Sequence, residues 1–276
     1  MDPKMTSLFL DHPLLFSGTL FVALVIAVES GFRLAVGSGT AIDQDRREQI
    51  AASRDALGIL LSLLLGFTLA MALPRFDLRK QLVTDEANAI GTTGLRAGLL
   101  PQAQRIQARA LLLQYVAARQ AYSRARPGQR ELTTAIYRTK STQASLWQIA
   151  EETTRQNPTA ITALFVSALN EMIDLGEKRL TALENRIPPT IWLMLLLVAF
   201  FTCFTFGYWQ RSRFWLVAVV IPLLIAIVMG LIADLDSPRS GFLRVDLRSL
   251  ERVEQDLRSL PSASPLPGTD TQPAVR

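Results

Sequence analysis

The 276-residue sequence has a single cysteine, Cys203, and a single histidine, His12. This scarcity excludes a disulfide framework within one chain and a zinc site made of cysteine and histidine ligands. The sequence also lacks a GxxxxGK[ST] phosphate loop, a GxGxxG fingerprint, and the HExxH, GxSxG and CxxC motifs. Adjacent acids such as Asp85 and Glu86 point in different directions on a helix, so they make poor catalytic pairs. We therefore expect no enzyme activity, no cofactor and no metal.

Long charge-free stretches are what the sequence offers instead. Residues 56–73, 187–210 and 214–233 carry no charge, and residues 14–28 form another apolar stretch before Glu29. A membrane-crossing helix needs about 20 apolar residues. We predict an all-α, polytopic membrane protein with four transmembrane helices and the lipid bilayer as its partner. Glu29 and Arg33 are four residues apart, so they can pair on one helix face.

A polar insert separates the second and third stretches. Residues 75–187 show helical periodicity, and breakers near residues 101, 127 and 157 divide them into helices near 75–99, 102–126, 129–155 and 159–186. Pro74 lies where the second transmembrane helix would continue, kinked, into the first of these. The predicted organisation is an N-terminal segment (1–12), transmembrane helices 1 and 2 (13–74), a helical-bundle domain (75–187), transmembrane helices 3 and 4 (188–234), a C-terminal segment (235–260) and a disordered tail (261–276).

The distribution of basic residues predicts the orientation. Eleven Lys and Arg residues flank the spans on the side of the insert and both termini, against six on the other side. Because basic residues stay inside, we expect a bacterial inner-membrane protein with both termini and the insert in the cytoplasm. The insert has 16 basic and 10 acidic residues. This excess suits anionic lipid headgroups, and no nucleic-acid motif accompanies it.

The second span carries small residues at every fourth position: Gly58, Ser62, Gly66 and Ala70. Such spacing creates a smooth helix face on which another helix can pack closely. The face could meet a span of the same subunit, or it could be shared between subunits or line a pore. Leu60, Leu64 and Phe67 are expected on the opposite face.

Two further groups could belong to an ion path. Asp234 and Asp236 end the fourth span, where the helix dipole disfavours anions, so Arg75 and Arg79 are expected partners in a charge clamp or a gate. The run at 200–206, FFTCFTF, combines phenyl edges with Thr hydroxyls that could tolerate an anion. Packing and lipid contact are the alternative uses of that run.

Two segments carry a family resemblance. The stretch at 57–79, LGILLSLLLGFTLAMALPRFDLR, followed by DEANAIGT at 85–92, and the later DSPRSGF at 236–242 resemble a bacterial membrane family that is labelled bestrophin-like. The label implies kinship with bestrophins, which are pentameric anion channels with cytoplasmic termini and a helical cytoplasmic region. Their second span lines a narrow apolar neck, and that role would fall on residues 57–67 here.

Two functional hypotheses follow. The first is a homo-oligomeric channel for anions, because four helices per subunit are too few to enclose a water-filled path. The second is a membrane-anchored sensing or protein-interaction module that acts through its helical domain. Ion flux and subunit assembly distinguish the two hypotheses.

Overall fold

The computed structural model describes residues 12–37, 44–125, 130–210, 212, 214–237, 241–243 and 245–260. The described residues form helices joined by short connections, with no strand among them. In chain order the helices are α1 (Pro13–Gly37), α2 (Gln44–Ala97), α3 (Gln102–Arg124), α4 (Arg130–Gln156), α5 (Ala160–Glu184), α6 (Pro189–Trp209), α7 (Trp215–Asp236) and α8 (Arg248–Ser259). The predicted disordered tail and the predicted N-terminal segment before His12 lie outside the described residues.

Four of these helices contain apolar segments long enough to cross a membrane. They are α1, α2, α6 and α7, which coincide with the four stretches predicted from the sequence to within two residues or extend beyond them. The prediction of an all-helical protein with four candidate spans is therefore confirmed for the part of the chain described here.

Helix α2 is longer than its apolar stretch. It begins at Gln44 because residues 44–55 are rich in good helix formers, and this extension was not predicted. It then continues through Pro74 and ends at Ala97, so the predicted continuity of the helix is confirmed, and the kink at Pro74 stays a prediction. Helices α3, α4 and α5 begin and end within two residues of their predicted positions. A further short helix, α8, follows residue 247.

The chain divides into two compact units. Unit 1 consists of Met1–Lys80 and Thr181–Val245, and unit 2 of Gln81–Leu180 and Asp246–Arg276. In unit 1, α1 packs against α6 and α7. The rings of Phe16 and Trp192 meet edge to face with centroids 5.5 Å apart, and Leu24, Leu195 and Met229 are fully enclosed. These side chains belong to an apolar cluster in unit 1.

In unit 2, α3 packs against α4 and α8. The core contains Leu112, Leu146, Phe165 and Met172, all without exposed surface. Helix α8 buries one face on this unit through Leu250, Val253 and Leu257. That face repeats at three- and four-residue spacing, which is the period of a helix that buries one side.

Candidate functional site

Helix α2 has two unlike faces within its apolar stretch. Leu61, Thr68 and Ala72 are buried, and Leu64 and Leu65 pack on the core of unit 1. The spacing of three, four and seven residues puts these side chains on one side of the helix. This side attaches α2 to its own subunit. Leu64 was expected on one face with Leu60 and Phe67, but those two side chains are exposed.

The small residues lie on the other side. Ser62, Gly66 and Ala70 are exposed and Gly58 is half-buried. Among the described residues, no atom would come within 4 Å of a Cβ placed on Gly58 or Gly66. The structure therefore does not put the small-residue face against a described span of the same subunit. We call Gly58, Ser62, Gly66 and Ala70 the open face of α2.

The open face borders a groove between α2 and α6. Arg54, Asp55, Gly58, Ser62 and Phe206 line it. At one end the Arg54 guanidinium donates to Asp55 Oδ1 at 2.7 Å and lies 4.3 Å from the centre of the Trp209 ring. The charged end of the groove is thus fixed by an ion pair and a cation–π contact.

Beyond that end, α2 contributes no ionisable side chain to the groove. The Ser62 hydroxyl donates to the carbonyl oxygen of Gly58 at 2.9 Å, so it presents an acceptor oxygen outward. Residues 56–74 include no ionisable side chain. The open face can therefore offer a smooth, narrow and uncharged lining, or a flat surface for a second helix.

The aromatic run at 200–206 on α6 was interpreted in one way as a lining whose Thr hydroxyls tolerate an anion, and the hydrogen bonds of these hydroxyls bear on that interpretation. Phe200 and Phe201 are about half exposed. The Thr202 hydroxyl donates to the carbonyl oxygen of Val198 at 2.7 Å, and the Thr205 hydroxyl donates to that of Phe201 at 2.9 Å. Both hydroxyl hydrogens are spent on the helix itself, so neither is directed outward to an anion.

Two residues of the predicted charge clamp, Arg79 and Asp236, bind main-chain groups in unit 1. Arg79 is buried and donates from Nη2 to the carbonyl oxygen of Leu235 at 2.8 Å and from Nη1 to that of Asp236 at 3.3 Å. The Asp236 carboxylate instead accepts the main-chain N–H of Ile187 at 2.9 Å. Arg79 therefore neutralises the negative end of the α7 dipole through carbonyl groups, while Asp236 fixes the start of the chain into α6.

Asp234 has a separate role. Its carboxylate accepts the main-chain N–H groups of Phe242 and Leu243 at 2.9 and 3.0 Å. Gly241 has a φ of +113°, and a Cβ there would overlap the Asp234 carboxylate. Asp234 thus closes the turn after α7, which only glycine at 241 accommodates. No described contact joins it to Arg75 or Arg79.

Unit 2 contains a buried ionic cluster that the sequence analysis did not identify. Glu86 accepts from Arg119 Nε at 2.5 Å, from Arg179 Nη1 at 2.6 Å and from the Tyr115 hydroxyl at 2.9 Å. Burial alone would lower the pKa of Arg119, but the adjacent Glu86 carboxylate outweighs it and raises that pKa. Burial and the same carboxylate raise the pKa of Tyr115. Arg119 therefore stays cationic and Tyr115 stays neutral at physiological pH.

This cluster stabilises the packing of unit 2 rather than forming a reactive site. Glu86, Arg119 and Arg179 expose almost no surface, and the second arginine also reaches the Ser123 hydroxyl. The available signal was the recurrence of Arg119 within the apolar stripe of α3, where a charge must have a buried partner. The predicted pair of Glu29 and Arg33 is confirmed at 2.6 Å on the surface of α1.

The structure thus defines a multi-pass helical membrane protein with an open small-residue face on its second span. Residues 20–250 match the family model of the Bestrophin-like domain. The chain belongs to the bestrophin-like family, as its sequence segments indicated. A comparison with curated protein sequences gives no significant match.

Solved structures share the fold. A bacterial bestrophin homologue from Klebsiella pneumoniae is 15% identical with a TM-score of 0.64, over 88% of this chain and 97% of that one. A mutant of a Klebsiella pneumoniae homologue is 16% identical with a TM-score of 0.63, over 90% and 99%. A mutant membrane protein is 14% identical with a TM-score of 0.66, over 92% and 99%. At such identities the likeness concerns the fold alone.

Proposed function

We propose that this protein is a homo-oligomeric ion channel, with anions as its expected ions. The observation that carries the proposal is the open face of α2. A helix whose other side is packed by Leu61, Thr68 and Ala72 leaves Gly58 and Gly66 uncovered. Small residues on an apolar helix favour close approach of another helix, and a second copy of α2 offers a matching surface.

Membership of the bestrophin-like family supports the same proposal. Four spans in a subunit are too few to enclose a wide path, so the path would run between subunits. The uncharged stretch at 57–67 would form its narrow part, as the family resemblance implies. In the proposed orientation, both termini and residues 75–187 lie on the cytoplasmic side of a bacterial inner membrane, in keeping with the basic residues that flank that side.

A sensing or interaction module is the second candidate. It is favoured by the continuous helix α2, which contributes residues to both units, and by the basic excess of residues 75–187. This alternative requires a specific partner and no ion flux.

The test is chloride and potassium flux from liposomes that contain the purified protein. Gly66→Leu adds a bulky side chain to the open face, where its Cβ would have no described neighbour within 4 Å. The matched control is Gly18→Leu, because Gly18 is equally uncovered but lies on α1. We expect flux in the native protein and the control, and loss of flux or assembly in Gly66→Leu. A native protein that is monomeric in membranes, or folded and oligomeric without flux, would contradict the proposal.

A further inference from the structure

Three arginines gather where the spans of unit 1 meet their polar flanks. Arg75 follows the uncharged stretch of α2, and Arg186 immediately precedes that of α6. The charges that act on Arg79 are those of Asp236, Arg186 and Arg75. Three guanidinium groups therefore act on one carboxylate, that of Asp236, at the end of the apolar segments.

The single carboxylate is already engaged. Asp236 Oδ1 accepts the N–H of Ile187 at 2.9 Å. The nearby carbonyl groups are also occupied. Arg79 donates hydrogen bonds to the carbonyl oxygens of Leu235 and Asp236, and its Nε donates to the carbonyl oxygen of Arg75 at 3.2 Å. The acceptors in this cluster are thus spent mainly on Arg79 and on the backbone.

Arg75 is left with an unused donor. Its Nη1 is buried and has no hydrogen-bond partner in the described part of the chain. The Arg75 residue as a whole is half-buried, as is Arg186, so both residues keep some surface that a ligand can contact. A buried guanidinium nitrogen without an acceptor is costly, and an anion is the simplest group that would satisfy it.

We propose that Arg75 and Arg186, held beside Arg79 and Asp236, form a binding site for a phosphate-class anion. A phosphate oxygen would accept from the Arg75 guanidinium, whose Nη1 has no acceptor in the described part of the chain, and the charge of Arg186 would favour it. Guanidinium groups suit phosphate because their donors match its oxygens in pairs. Both arginines lie within two residues of the ends of uncharged stretches, the depth at which lipid headgroup phosphates occur. The proposal is independent of ion conduction.

The source of the phosphate is either a lipid headgroup or the free ion. The full-length protein in zwitterionic micelles would be titrated with phosphatidylglycerol, phosphatidylcholine or inorganic phosphate. The thermal unfolding midpoint is measured at each step, because a ligand that binds the folded state raises this midpoint. A rise with phosphatidylglycerol but not phosphate supports a headgroup site. A rise with both supports a site open to the free ion.

Variants decide whether the arginines are responsible. Arg75→Gln should weaken the apparent affinity about tenfold, the effect of losing one charge-assisted hydrogen bond, and Arg75→Lys should recover part of it. Lys80→Gln is the matched control, because Lys80 is exposed on the same helix and its loss changes the net charge equally. Equal weakening in Arg75→Gln and Lys80→Gln, or no rise with either phosphate ligand, would overturn the proposal.

Discussion

A Cβ on Gly207 of α6 would overlap the carbonyl oxygen of Val28 on α1. The relation is reciprocal, because a Cβ on Gly31 of α1 would overlap the carbonyl oxygen of Phe204. The two helices therefore meet backbone to backbone inside unit 1. Glycine is required at both positions for steric reasons, whereas Gly66 on α2 meets nothing in the described subunit.

This contact makes Gly207→Ala a test of packing within the subunit. The added methyl group must push α1 away from α6, and we expect a loss of about 1–3 kcal/mol in unfolding free energy. Gly18→Ala on α1 is the control, since its Cβ would have no neighbour within 4 Å. Denaturant unfolding in micelles measures both variants. Equal stability of the two variants would show that α1 and α6 are not in close contact.

The buried cluster around Glu86 predicts a second effect. Glu86→Gln removes the carboxylate and leaves Arg119 and Arg179 buried without a counter-charge, which costs about 3–5 kcal/mol. Amide hydrogen exchange should therefore rise throughout α3. Glu251→Gln is the matched control, because its ion pair with Arg124 is exposed. Similar exchange in the two variants would refute a central role for Glu86 in unit 2.

The turn after α7 predicts a coupled pair of substitutions. Gly241→Ala forces a side chain into a positive-φ conformation against Asp234, at a cost of about 1–3 kcal/mol. Asp234→Ala removes the acceptor for the N–H groups of Phe242 and Leu243. Because both changes open the same turn, the double variant should lose less stability than the sum of the single variants. Thermal unfolding measures the three proteins, and strict additivity would mean that the two residues act separately.

Much of the fold could be predicted because apolar stretches and breakers act locally. The uncharged run at 214–233 is long enough to cross a bilayer whatever surrounds it, and Pro158 ends a helical pattern by its own chemistry. The extension of α2 back to Gln44 was not predicted, because a polar helix of good helix formers has no apolar stripe that indicates it.

The contacts that individual charged side chains make in the folded chain could not be predicted to the same degree. Arg79 and Asp236 were expected to form a direct clamp, but each binds a main-chain group instead. Sequence shows where a charge needs compensation but not whether a side chain or a helix end supplies it. The ionic cluster of Glu86 joins residues 33 and 93 positions apart, a separation that no local pattern encodes.

The most direct test of the central claim is chemical modification of Ser62→Cys during chloride flux from liposomes. Cys203, the sole native cysteine, is buried, so the variant presents one accessible thiol. Ser30→Cys is the matched control, because Ser30 is also exposed and its hydroxyl also bonds to its own helix, but on α1. If the open face borders the ion path, a charged methanethiosulfonate reagent should block flux through Ser62→Cys and leave Ser30→Cys unaffected. Unchanged flux through fully modified Ser62→Cys would contradict the claim.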